Sequence, residues 1–188
     1  MKSYTKPYAS CRYTHPSVEA AIHLRNEYGL KASDIEYIDI KTYNLAVAGH
    51  EHTEIRGSYN AKMSIPYAVA VGLIYGKAGL QEFNEETVKD NKIQELTRKV
   101  RVFADKNLSE AFPKMQTAIL SITTTKGIVT KRVDFPKGEP ENPLTYDEFK
   151  NRYDMLMEYA GVTTANRDTI FDVIYTEKTS VKEIIEFL

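Results

Sequence analysis

The chain has 188 residues, of which 42% are hydrophobic and 27% charged, a balance that suits a folding globular domain and excludes an intrinsically disordered chain. Its 25 lysines and arginines nearly match 26 aspartates and glutamates, so a formal charge of -1 leaves no global field to attract nucleic acid or an acidic membrane surface. A single cysteine, Cys11, excludes an internal disulfide framework and a cysteine-built zinc site and fits a cytoplasmic setting. The longest apolar run, residues 68–75, is too short to span a bilayer, and the N-terminus lacks the apolar core of a signal peptide.

Thr14-His15-Pro16 sets a capping residue before a proline at the first helical position. Val18, Ala21, Ile22 and Arg25 then follow at helical spacing up to Gly29, which predicts a first helix. Residues 35–43 alternate, with Ile38, Ile40 and Thr42 on one face and Tyr37, Asp39 and Lys41 on the other, the pattern of a strand with one wet face. Residues 44–60 show no period, contain Gly49 and Gly57, and read as a long loop carrying His50 and His52. Pro66 opens an apolar helix over residues 67–75 that lacks a polar face and is closed by Gly76 and Gly79, so burial on most sides is expected. Asn84 and Asp90 head two short helices, and residues 100–103 form a second strand.

In residues 118–133 two β-branched runs flank the tight turn Lys126-Gly127, which predicts a hairpin and therefore an antiparallel sheet. Residues 137–143 form a polar, proline-interrupted linker. Beyond it, Thr145 and Glu148 match a capping box for a helix that runs to Gly161. Further helices fit residues 165–175 and, from the capping box Ser180 to Glu183, residues 181–188. The fold class is α+β: an antiparallel sheet with packed helices over residues 1–143, then a helical tail over residues 144–188. The apolar face of that tail (Phe149, Tyr153, Leu156, Met157) calls for a cover.

Residues 6–16 concentrate Lys6, Tyr8, Cys11, Arg12, Tyr13, Thr14 and His15 immediately before a helix start. A helix N-terminus offers unpaired amide donors and partial positive charge, and two nearby cations add charge-assisted donors suited to a small di- or tricarboxylate. A capped helix with a solvated polar approach accounts for the same spacing. His15 acts as an acid or base only if a partner converges on it. His50 and His52 on the long loop suggest a metal pair or a catalytic histidine, and a metal site needs a third ligand that the sequence does not place.

Lys6-Pro7-Tyr8 followed by Cys11-Arg12-Tyr13-Thr14-His15-Pro16 resembles the motif that opens the C-terminal lid domain of the MmgE/PrpD family, the 2-methylcitrate dehydratase-like lyases. Ala61-Lys62-Met63-Ser64-Ile65-Pro66-Tyr67 is similar to the family's second signature. Thr123-Thr124-Thr125-Lys126-Gly127 resembles its hairpin, and Pro136-Lys137-Gly138-Glu139-Pro140-Glu141-Asn142-Pro143 resembles its Gly-x-Pro-x-Asn-Pro linker.

The resemblance implies an α+β lid that closes on a large helical domain, with substrate in the cleft between them. It implies dehydration of 2-methylcitrate, decarboxylation of cis-aconitate or epimerisation of an iminodisuccinate, all of which begin with proton removal beside a carboxylate, and it implies no metal and no cofactor, which favours a surface loop for His50 and His52. Carried over by position, Lys6 and His15 are the candidates for catalytic roles. Arg12, Thr14, Tyr8 and Lys62 are the candidates for binding substrate, and Tyr59 is a candidate cleft tyrosine. Since the large helical domain of relatives has no counterpart in these residues, roughly half of the site is expected to be missing, and the tail is expected to fold onto its own domain, to pair with a second copy as a homodimer, or to bind a helical domain or subunit of the same family. The alternative expectation is a non-catalytic module that binds a carboxylate or a protein partner.

Overall fold

The computed structural model describes residues 3–176, and the helix expected over residues 181–188 lies outside them. The chain divides into two compact units, Met1–Pro143 and Leu144–Leu188. In the first, the strands β1 (Ile35–Thr42), β2 (Val100–Ala104), β3 (Ala118–Thr124) and β4 (Gly127–Val133) make one sheet in the order β2-β1-β3-β4. Pairing is antiparallel between β1 and β3 and between β3 and β4, as an α+β fold requires. β1 and β2, however, run parallel, with Ile38 opposite Val100 and Ile40 opposite Val102. The long connection between these two strands supplies the crossover that a parallel pair needs.

That connection contains the helices α2 (Asn44–Val47), α3 (Ser58–Lys62), α4 (Ile65–Tyr75) and α5 (Asn91–Arg98), so the expected long loop is broken by two short helices. The first helix, α1 (His15–Tyr28), packs on β3, β4 and α4. Ser64 starts α4 by accepting from the Tyr67 amide at 3.1 Å, and α4 is buried from Ile65 through Leu73, as its unbroken apolar run predicts. A side chain at Gly72 would meet Ile22 Cγ1 at 3.3 Å and the Val18 carbonyl at 3.6 Å, so this glycine sets how closely α4 approaches α1.

Ile38 and Ile40 of β1 pair with Ile122 and Leu120 of β3 on the inner face, and all four are fully buried. Each contributes about 1.5–3 kcal/mol by leaving water. Asp90 caps α5 through the Lys92 amide at 2.8 Å. Asn84, expected to head a helix, instead accepts from Thr87 at 2.7 Å and starts only a 3-10 turn, Thr87–Lys89. A further short helix, α6 (Lys106–Ala111), follows β2 and is capped by Asp105.

The second unit pairs α7 (Tyr146–Tyr159) with α8 (Thr164–Thr176). Thr145 and Glu148 close the expected capping box, at 3.2 Å and 2.8 Å. Phe171 of α8 is buried under the rings of Tyr146, Phe149 and Tyr153. Tyr159, Leu156 and Ile174 are exposed. Among the described residues, no helix is long and apolar enough to cross a membrane.

Candidate carboxylate-binding site

Residues 6–11 approach α1 without regular structure, bending over residues 8–10, and lead into a 3-10 turn, Arg12–Thr14. Other parts of the first unit hold its main chain at separate points. Thr5 donates to the Gly138 carbonyl at 3.0 Å, Ala9 to Ala78 at 2.9 Å, and Cys11 to Lys62 at 2.8 Å. The opening motif, the segment that leads into α4 and the Gly-x-Pro-x-Asn-Pro linker, well separated in sequence, therefore meet here. The hairpin motif does not join them through these bonds; it lies at the exposed β3–β4 turn.

The linker is fitted closely. Gly138 has φ +88°, and a Cβ there would sit 1.8 Å from the Thr5 carbonyl, so only glycine is compatible with both the backbone conformation and the space. Glu19 of α1 accepts from the Lys137 amide at 2.5 Å and from the Asn142 side chain at 3.4 Å. Burial raises its carboxyl above the usual range, and the amide of Lys137 opposes that shift. Glu139 reaches back to pair with Arg12 Nη2.

Lys6 and His15 converge on one atom. The exposed Lys6 ammonium donates to the Ser10 carbonyl at 3.2 Å, and His15 Nε2 lies 3.3 Å from the same oxygen. A carbonyl only accepts, so Nε2 carries the proton and Nδ1 presents a lone pair, which has no protein partner among the described residues. His15 is fully buried, with the Tyr8 ring edge-on at 5.2 Å. Burial first, then the charges of Arg12 and Lys6, lower its pKa to about 3, so it is neutral at neutral pH.

Arg12 is 7% exposed and lies over the Tyr4 ring at 4.9 Å; its Nε and Nη1 have no partner among the described residues. Thr14 differs from its expected capping role. It is itself helical, and its hydroxyl lies 2.6 Å from Ser10 Oγ and donates to the Cys11 carbonyl at 3.0 Å, because the preceding 3-10 turn takes over the start of the helix. Lys62 joins the segment through its main-chain carbonyl.

His50, expected on a surface loop, is 8% exposed. Its Nδ1 is 3.0 Å from the Ala48 carbonyl, its Nε2 is 3.5 Å from Cys11 Sγ, and Tyr13 stands edge-on to it at 5.3 Å. His52 engages the Asn60 carbonyl and amide at 3.2 and 2.9 Å, so the two histidines serve different partners. Among the described residues, no cluster of three or more His, Cys, Asp or Glu could hold a metal ion. Tyr59 is 81% exposed on α3. Glu19 and Glu139 escaped the sequence reading, since only the folded chain brings them to the motif.

A comparison with curated proteins finds no match. The family model of the MmgE/PrpD C-terminal domain matches residues 8–176, which takes in Tyr8, Arg12, Thr14, His15, Lys62 and the linker, and the chain therefore belongs to the MmgE/PrpD family through its C-terminal domain.

Proposed function

We propose that residues 6–15 form one wall of a lyase site that binds a small di- or tricarboxylate, with the opposite wall contributed by a helical domain of the same family. One observation carries the proposal: an exposed ammonium and a buried neutral imidazole share the Ser10 carbonyl, beside an arginine that keeps two nitrogens without partners among the described residues.

In this reading Lys6 contacts a substrate carboxylate and stabilises the enolate-like charge that develops when the neighbouring carbon loses its proton. His15, held neutral, fixes the Ser10 carbonyl and with it the direction of the ammonium. Arg12 contributes positive charge from a position fixed by Glu139, and Thr14 holds the turn closed through Cys11. Tyr8 packs on His15, and Lys62 steadies Cys11. Hydro-lyase and epimerase chemistry share this first step, and carboxy-lyase chemistry develops the same enolate-like charge by releasing carbon dioxide.

Calorimetry with tricarballylate, an unreactive tricarboxylate, tests the proposal. Lys6→Ala is expected to weaken binding by about 1.5–3 kcal/mol, the value of a charge-assisted contact. Equal affinities would remove Lys6 from the site. Adding a helical domain from a family member and following loss of water or carbon dioxide from citrate-like and aconitate-like acids separates a lyase from a binding module. Turnover marks the lyase, and binding alone marks the module.

A further inference from the structure

The Cys11 thiol and the His50 ring take no part in the roles assigned above, yet the fold brings them together from distant points in the chain. Cys11 Sγ lies 3.5 Å from His50 Nε2. The other ring nitrogen, Nδ1, faces the Ala48 carbonyl at 3.0 Å and must donate to it, so neutral His50 turns the lone pair of Nε2 toward the thiol. The imidazole is nearly buried and flanked edge-on by Tyr13, which holds it in this orientation. Cys11 is only partly covered.

The main chain fixes the thiol as well. The Cys11 amide donates to Lys62, and its carbonyl accepts from both the amide and the hydroxyl of Thr14. Its peptide nitrogen is bonded to the carbonyl carbon of Ser10, whose oxygen holds the Lys6 ammonium. His15, by contrast, is fully buried and held neutral, which suits it to positioning rather than to exchanging protons with a ligand.

We propose that Cys11 and His50 form the proton-transfer pair of this site, an inference that rests on the carboxylate reading for its substrate and on its own geometry for the pair. The thiol proton passes to His50 Nε2, breaking S–H and forming N–H. The thiolate lone pair then takes the hydrogen from the carbon beside the substrate carboxylate. S–H forms again, and the C–H electron pair stays on the substrate as enolate charge next to Lys6. One proton has left carbon and one rests on His50.

The whole chain contains one cysteine, so alkylation by iodoacetamide followed by intact mass reports on Cys11 alone. At neutral pH, His50→Gln is expected to slow alkylation on the order of tenfold, because the thiolate is the nucleophile and the imidazole generates it. Tricarballylate is expected to protect Cys11 in the wild-type chain. A folded His50→Gln chain that reacts at the wild-type rate overturns the pair. Where that variant melts early, nitrogen-15 spectra of the imidazoles in wild type and Cys11→Ala decide instead. One Nε2 resonance is expected to move when the thiol is removed, and none moving overturns the proposal.

Tricarballylate that binds by calorimetry without slowing alkylation overturns the pair's place in the site. Absence of calorimetric binding sinks the carboxylate reading instead, and the His50→Gln rate still decides the pair.

Discussion

Removing Glu139 tests how the linker holds the opening motif. The Arg12–Glu139 pair has side chains only 8% and 15% exposed, and Glu139 is the one group that hydrogen-bonds the guanidinium among the described residues. Truncating one member of such a pair leaves a buried charge without compensation, which costs about 3–5 kcal/mol. For a chain of this size, Glu139→Ala should lower the melting temperature by roughly 6–20 °C. The Arg101–Asp39 pair, with side chains 53% and 32% exposed, supplies the contrast. Although Asp39 holds Arg101 through two bonds, Asp39→Asn should cost less than about 1 kcal/mol, because solvent screens the pair.

Urea unfolding followed by far-ultraviolet circular dichroism measures both variants, the chain having no tryptophan to report by fluorescence. Replacing both Arg12 and Glu139 by leucine should recover most of the loss, since the penalty lies in the unpaired charge rather than in the missing contact. A Glu139→Ala variant within 1 kcal/mol of the wild type, by the bound of an exposed pair, would refute the reasoning.

Gly138→Ala should destabilise the chain by more than about 1 kcal/mol and release residues before Lys6 to proteolysis, because both φ +88° and the Thr5 carbonyl oppose a Cβ; limited proteolysis with a thermal melt checks it. Glu19 has a folded pKa raised above 4.5, so the folded state holds its proton to higher pH than the unfolded state and stability falls as pH rises through that window. Wild-type stability minus that of Glu19→Gln should therefore be larger just above pH 4.5 than at neutral pH, as paired urea titrations would show. His15 has the opposite sign. Its pKa falls from 6.5 to about 3, so the stability it supports is present above 6.5 and is lost as pH drops toward 3. His15→Asn should flatten that acid limb, and an unchanged slope would contradict the burial argument.

Much of the fold was legible because its signals are local. The unbroken apolar run of α4, the alternation of β1, the turn at Lys126-Gly127 and the capping box at Thr145 each specify an element from neighbouring residues alone. The parallel partnership of β1 and β2 was not legible, since strand direction there depends on the path of the intervening chain. The helices α2, α3 and α6 are too short to develop a hydrophobic period, so their sequences looked irregular.

At the candidate site, residue types were visible and relations were not. Lys6 and His15 stood out as chemistry-bearing groups, whereas their common partner is a main-chain oxygen that no side-chain pattern announces. Thr14 looked like a cap because Pro16 follows it, but the 3-10 turn from Arg12 occupies that role. Glu19, Glu139 and the burial of His50 all depend on contacts between segments far apart in sequence.

The most direct test of the ligand-binding wall is a tricarballylate titration of the nitrogen-15-labelled chain followed by amide resonances. Saturable shifts centred on Lys6, Ser10, Cys11 and Arg12 are the result expected. Shifts confined to the hairpin tip around Lys126, or no saturable shift at all, would contradict it.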